Sequence, residues 1–314
     1  MAYLVKKGDL VRFIEMFISN FEVIAPVKKD IVRFTALKKG EGKDVVFNNP
    51  LYPAKEFFLP LKETMLEFNK DSINPVVSVK KKKTLFLMNR CDVNAVHRND
   101  LIMLDAPADP YYREKRENAI LVEIPCVVTD NCKCTNVGLV DCYDLKIMQH
   151  EKGYVLDVLT EKGNELIEKA KKASVSFSNF NYLAPTTHEF HQPTLVSDNK
   201  EVWDEYSKRC LSCSACTIVC PTCMCFTING HLNLDLKSGN LHREGASCQL
   251  TNFTKVAGGY VFRRERGARG KQRVHCKFIY FKEKYKYPRC VGCGRCNSAC
   301  PVGINIYDVF KSLK

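Results

Sequence analysis

The sequence predicts an α+β protein: an α/β-type domain in the N-terminal half, then a mainly helical C-terminal domain. Three observations point that way. Up to about residue 175, runs with the alternating or continuous apolar pattern of strands are interleaved with runs of helical period. Residues 176–200 are polar and proline-containing, as in a linker. From residue 201 onward cysteine, glycine and arginine rise, and short helices are expected in place of strands. A length of 314 residues accommodates about two domains, here 1–175 and 201–314.

Taken in order, "DLVRFIEMFISNF" carries apolar residues at Leu10, Phe13, Ile14, Phe17 and Ile18, the 3.6-residue period of an amphipathic helix, with Asp9 at its N-cap. "FEVIAP", "IVRFTAL" and "DVVFNN" read as short strands between residues 22 and 48. "KEFFLPLKETMLEF" reads as helical on either side of Pro60, which breaks it. The four lysines Lys80 to Lys83 form the solvated flank of the strand "KTLFLMN". "VNAVHRNDLIML" and "DPYYREKREN" follow as helices, and "NAILVEIPC", "DLKIMQH" and "GYVLDVL" as strands. "TEKGNELIEKAKKA" is a helix capped by Thr160. Beyond the linker, "NKEVWDEYSKRC" is a helix that delivers the chain to Cys210.

The bulk composition sets limits. A chain of this length buries a core without staples, so its 17 cysteines are not needed to hold a small fold together. The N-terminus lacks an apolar core of signal-peptide length. No run approaches the roughly 18 apolar residues of a membrane span. A cytoplasmic protein is expected, and there thiols stay reduced and read as metal ligands or redox groups before disulfides. The odd count also argues against a complete disulfide framework. The formal charge is 48 − 35 = +13, which invites nucleic acid. Against that, the lysines are scattered, and a basic surface serves equally to dock an acidic partner subunit.

The strongest signal is a cysteine pattern that occurs twice. "RCLSCSACTIVCP" holds Cys210, Cys213, Cys216 and Cys220 followed by Pro221; "RCVGCGRCNSACP" holds Cys290, Cys293, Cys296 and Cys300 followed by Pro301. Both fit C-x2-C-x2-C-x3-C-P, the spacing of bacterial ferredoxins with two [4Fe–4S] clusters, in which the fourth cysteine serves the other cluster. The crosswise rule assigns Cys210, Cys213, Cys216 and Cys300 to one cluster. It assigns Cys290, Cys293, Cys296 and Cys220 to the other. Small residues between them (Ser212, Ser214, Ala215, Gly292, Gly294) let backbone N–H groups approach the sulfurs. Clusters of this type carry a net charge of about −2 when oxidised, so two or three would offset about 4 to 6 of the positive charges. Zinc ribbons use paired C-x2-C units and need no third step closed by Cys-Pro, and a redox dithiol needs only two cysteines. Nearly seventy residues separate the two motifs, which makes the C-terminal part a ferredoxin-like dicluster domain with an insertion.

These motifs, with "SCQLTNF", "GGYVFRRERGARGKQRVHCKFIYF", "NRCDVNAV", "DPYYREKR" and the C-x5-C-K-C run, resemble the iron–sulfur beta subunit of soluble sulfhydrogenases and the A subunit of anaerobic sulfite reductases. The resemblance covers most of the chain. It implies a subunit that carries electrons between a flavin- and nicotinamide-binding subunit and a catalytic hydrogenase or sulfite reductase subunit, with no catalytic residue of its own. "NRCD" and "CKC" depart from the family pattern of Pro before Cys and an aromatic between cysteines, which marks a divergent member.

A second constellation lies in the N-terminal half. Cys91 follows one predicted strand, Cys126 ends another, and Cys132 and Cys134 sit in the loop after it. If the strands are neighbours, the four thiols gather at one strand-end edge, where α/β sites form. They are candidates for a third [4Fe–4S] cluster, with Cys142 as a substitute ligand; the alternative is that some are buried small hydrophobes. Cys223, Cys225, Cys248 and Cys276 follow no ligand rule and read as structural thiols before a further metal site.

Other signals are weaker. His188 and His191 in "THEFHQ" are spaced one residue too close for a zinc-protease pair. "RGARGKQ" lacks the first glycine and the Ser/Thr of a phosphate loop, and no G-x-G-x-x-G opens a helix. The basic run Arg263, Arg264, Arg266, Arg269, Lys271, Arg273 reads as a solvated face, or as a bias on nearby cluster potentials or a dock for an acidic subunit. Two rival functions remain open. A nucleic-acid-binding metal protein would need a compact basic patch with interleaved aromatics. A self-sufficient reductase would need a cluster with a missing thiolate, which the N-terminal set would supply if one of its cysteines is not a ligand.

Overall fold

The computed structural model describes residues 2–77, 82–173, 175–179 and 199–313. His188, His191, Lys80 and Lys81 lie outside them, as does most of the expected linker. In chain order the first elements are β1 (Ala2–Lys6), α1 (Leu10–Asn20), β2 (Glu22–Lys28), β3 (Val32–Ala36), β4 (Lys62–Phe68) and β5 (Ile73–Pro75). Next come β6 (Thr84–Asn89), α2 (Arg90–Met103), α3 (Pro110–Glu117), β7 (Ala119–Ile124), β8 (Leu145–His150), β9 (Gly153–Val158), α4 (Glu161–Lys172) and β10 (Ser178–Asn179). The last part holds α5 (Lys200–Arg209), α6 (Ala215–Ile218), β11 (Phe226–Leu232), β12 (Gly239–Gly245), α7 (Arg266–Phe278), α8 (Tyr280–Tyr285), α9 (Arg295–Ser298) and α10 (Ile306–Lys311). The protein is α+β.

The chain forms two compact units, each discontinuous in sequence. One takes residues 1–54, 79–129 and 139–187, the other 55–78, 130–138 and 188–314. Segments 55–78 and 130–138 thus leave the interval 1–175 and pack with the C-terminal unit. The reason is pairing: β4 is hydrogen-bonded to β12, and the backbone N–H of Lys133 donates to the carbonyl of Gly292.

The N-terminal unit is built on an eight-stranded sheet of order β10-β1-β9-β8-β7-β6-β2-β3. Its centre, β2, β6, β7 and β8, is parallel; β3, β9, β1 and β10 add antiparallel edges. Every residue of β6 and β7 is buried, as expected of parallel strands covered on both faces. One face, with Leu85, Leu87, Ile120 and Val122, packs on α1 (Phe13, Phe17) and α4 (Leu166, Ile167). The 3.6-residue period of α1 has its expected outcome, with Leu10, Phe13, Ile14 and Phe17 buried. Asp9 stands at its N-cap, but its side chain accepts no capping hydrogen bond.

Two expectations are corrected. Residues 55–68 do not form helices around Pro60: only Ala54–Phe57 makes a short 3₁₀ turn, and Lys62–Phe68 is strand β4. Its helix-forming residues (Lys62, Glu63, Met65, Leu66, Glu67) yield to ladders on both sides, β12 and β5. The insertion between the cysteine motifs is not purely helical either. β11 and β12 form a hairpin there, giving the C-terminal unit a sheet of order β11-β12-β4-β5.

Asp144 ties the N-terminal unit together. It is 8% exposed, and its carboxylate accepts from the Leu121 N–H in β7 (2.8 Å) and from Thr160 Oγ1 (2.5 Å), the residue that caps α4 through Gly163 N–H. Asp144→Ala should leave these donors unpaired and cost roughly 2–4 kcal/mol. The check is a lowered urea midpoint together with faster amide exchange at Leu121 and Gly163.

Candidate metal centre

The two cysteine motifs take the same backbone path. In the first, Ser212 and Ser214 have φ of 54° and 67°; in the second, Gly292 and Gly294 have 64° and 73°. These left-handed residues turn the chain around the sulfurs, and each loop then enters a single helical turn, α6 or α9. The path aims N–H groups at sulfur: Ser212 N–H donates to Cys210 Sγ and Gly292 N–H to Cys290 Sγ, both at 3.4 Å. Ile304 N–H donates to Cys300 Sγ at 3.3 Å.

Two cavities lie beside these loops. Cys210, Cys213, Cys216 and Cys300 line the first. Cys290, Cys293, Cys296 and Cys220 line the second. Each cavity thus combines three cysteines of one motif with the cysteine before proline of the other; Cys296 and Arg273 border both. Among the described residues no three His, Cys, Asp or Glu side chains converge on a single-ion site. The thiols stand around a space, which suits a polynuclear group.

The surroundings fit an anionic group held by sulfur. Arg269 and Arg273 of α7 are buried, contrary to the solvated face expected of the basic run, and so is Lys277 further along the helix; Arg264 and Arg266 are exposed. Arg269 Nε and Arg289 Nε and Nη2 are buried without a protein acceptor. Burial alone would push Lys277 down, but the neighbouring Cys220 and Cys223 thiols raise it. The same balance raises Arg273, beside Cys216, Cys223 and Cys220. Burial pushes the Cys293 thiol up to about 12, so without a bound cation it stays protonated.

The loops differ in one respect that the sequence did not reveal. A Cβ on Gly292 would lie 2.5 Å from the Lys133 carbonyl, and one on Gly294 2.5 Å from that of Asn131. Segment 130–138 runs across the second loop, with Asn131 Nδ2 also donating to Ser298 Oγ (3.0 Å).

The N-terminal candidates divide between the units. Strands β6 and β7 are parallel neighbours with Asn89 opposite Ile124, so Cys91 and Cys126 each lie two residues past the same sheet end. Cys91 is buried and Cys126 exposed. Cys132 and Cys134 belong to the C-terminal unit, where their sulfurs are 3.3 Å apart; this hydrogen bond lowers Cys132 to about 6 against the effect of burial. Cys142, half-buried, is pushed up to about 12 by burial and by Glu123. Of the cysteines without a ligand rule, Cys223 accepts from Arg273 Nη1 (3.3 Å), Cys276 from Arg289 Nη1 (3.4 Å) and Cys248 from Gln249 Nε2 (3.5 Å). Cys225 is hydrogen-bonded to Cys248.

Comparison with known proteins agrees with this site. Residues 209–304 match the model of the 4Fe-4S dicluster domain family, so the C-terminal unit carries a dicluster domain. Along nearly its whole length the chain is similar to the sulfhydrogenase 2 subunit beta of Pyrococcus furiosus: 27% identity over 311 residues, covering 93% of this chain and 92% of that protein. The resemblance to the beta subunit of sulfhydrogenases read from the motifs therefore holds. No solved structure matches.

The close approach at Gly292 and Gly294 yields a test. Gly294→Val forces a branched side chain into a left-handed position against backbone, so segment 130–134 must lift. The expected outcome is several-fold faster alkylation of Cys132 and Cys134, read by mass spectrometry; Ser214→Val, in the equivalent place of the first loop, should leave that rate unchanged.

Proposed function

We propose that this chain relays single electrons through [4Fe–4S] clusters. The donor and acceptor would be a flavin- and nicotinamide-binding subunit and the catalytic subunit of a hydrogenase or sulfite/sulfur reductase complex, in the cytoplasm. The observation that carries the reading is the three-plus-one arrangement of cysteines around each of two cavities. Cys210, Cys213, Cys216 and Cys300 would hold one cluster, and Cys290, Cys293, Cys296 and Cys220 the other. A bound cluster supplies reversible one-electron transfer. The chain supplies the rest: thiolates at fixed positions, N–H donors on sulfur, and buried cations that balance the charge. No side chain is assigned as acid, base or nucleophile.

The first centre is the nearer to solvent. Cys213 is exposed and Leu211 beside it is 56% exposed, whereas segment 130–134 covers the second loop. Exchange with a partner subunit at the first centre fits that difference. No helix among the described residues is long and apolar enough to cross a membrane. The formal charge of +13 no longer favours nucleic acid as it did, because several of the cations counted in it are interior: Arg269, Arg273, Lys277, Arg289 and Arg295 are all under 9% exposed. The relative's name, a hydrogenase subunit, favours the complex-subunit reading over a self-sufficient reductase.

Iron, acid-labile sulfide and zinc per chain on anaerobically purified protein test the proposal. About eight irons with matching sulfide are expected from the two C-terminal sets, and about twelve if Cys91, Cys126, Cys132 and Cys134 hold a third cluster. Stoichiometric zinc with little iron would sink it. The crosswise assignment has its own test. Cys300→Ser and Cys213→Ser should perturb the same EPR signal, and Cys220→Ser and Cys293→Ser the other; Cys300→Ser grouping with Cys293→Ser would reverse it.

A further inference from the structure

Helix α7 carries Arg269, Arg273 and Lys277 at four-residue steps, which puts them on one face. All three are buried, at 3%, 4% and 2% exposure. With about 1.5 Å of rise per residue, the stripe runs about 12 Å along the axis. Each cation has a different address. Arg269 Nη2 donates to Ser212 Oγ (2.9 Å), in the first cysteine loop. Arg273 borders both cavities, and its Nη2 donates to the Cys216 carbonyl at 2.7 Å. Lys277 Nζ donates to Thr222 Oγ1 (2.7 Å), and Lys277 borders only the second cavity.

Among the described residues none of the three pairs with a carboxylate. Burying an unpaired guanidinium or ammonium costs several kcal/mol, so the stripe needs anions. Arg273 and Lys277 face sulfur: Arg273 Nη1 donates to Cys223 Sγ and both border a cysteine-lined cavity, whereas Arg269 reaches the first loop through Ser212, its Nη1 donating to the carbonyls of Arg263 and Arg264. Adding an electron to a thiolate-held centre makes it more negative, and a fixed cation in a low-dielectric interior favours that form.

We propose that α7 sets the reduction potentials of the two centres through this stripe, Arg269 raising that of the first, Lys277 that of the second and Arg273 both. The inference rests on the two-cluster reading above and deepens it: the three residues tune the centres by position and ligate neither.

The test is an EPR-monitored redox titration of the full chain, with the two signals assigned from the cysteine variants. Arg273→Gln should lower both midpoints, Arg269→Gln only the first and Lys277→Met only the second. Arg273→Lys, which keeps the charge, should restore both. Lys271→Gln, on α7 but outside the buried face, should move neither. Unmoved midpoints in the variants that keep their iron would overturn the inference. So would a shift of equal size at both centres whichever residue is changed, since that is what general loosening of the helix produces. If Arg273→Gln loses iron, the position-specific shifts of Arg269→Gln and Lys277→Met decide. Failure of the two-cluster reading would show separately, as missing iron or missing signals in the unsubstituted protein.

Discussion

The C-terminal unit depends on the burial of positive charge beside cysteine sulfur. Neither partner is tolerable alone in an interior: a lone guanidinium there is costly, and a buried thiol such as Cys293 holds its proton. Side by side, each lowers the cost of the other. The packing that holds α7 against the first loop follows from this requirement. Gly267 and Gly270 let α5 lie directly on α7, since a Cβ at either would come within 2.6 Å of the Trp203 carbonyl or 2.3 Å of the Tyr206 ring. Tyr206 then bonds Gln249, which in turn donates to the Arg269 carbonyl. The helix that delivers the chain to Cys210 is thereby locked to the helix that carries the cations.

That constraint also explains how two loops some seventy residues apart come to share one core. Each loop supplies three sulfurs to its own cavity and its cysteine before proline to the other, with Cys296 bordering both, so neither cavity has its full set unless α6 and α9 pack together. The equivalent backbone path asks only for left-handed residues at two positions per loop. Serine meets that demand in the first loop. In the second the passing backbone of residues 131–133 removes the room for a side chain, and glycine alone fits.

Much of this was legible beforehand. The spacing of Cys210 to Cys220 and of Cys290 to Cys300 is a local signal, and local signals survive in a sequence. So do the buried strands Thr84–Asn89 and Ala119–Ile124 and the amphipathic face of Leu10–Asn20. What was missed depended on partners distant in the chain. Lys62–Phe68 has helical propensity and becomes a strand because β12, far along the chain, offers a ladder. Phe226–Leu232 is a different case: it alternates Phe226, Ile228 and Leu232 with polar residues and pairs locally with β12 in a hairpin, but it is exposed along its whole length. Arg269 and Arg273 look like part of a surface charge run because sequence patterning assumes that cations face water. Their four-residue spacing, continued by Lys277, was the available hint.

The contribution of the N-terminal half to the second centre has a broader consequence. The family model spans 209–304, which contains all eight cysteines of the two sets. The folding unit is larger. Strand β4 stabilises β12, Lys55 Nζ donates to the carbonyls of Thr217 and Ile218 at the end of α6, and residues 131–133 sit on the second loop. A chain trimmed to residue 201 onward would keep every one of those thiols and lose the strand, the lysine and the cover. Cysteine spacing therefore locates the two loops, while contacts made by Lys55, Lys62–Phe68 and residues 131–133 brace them from outside the matched span.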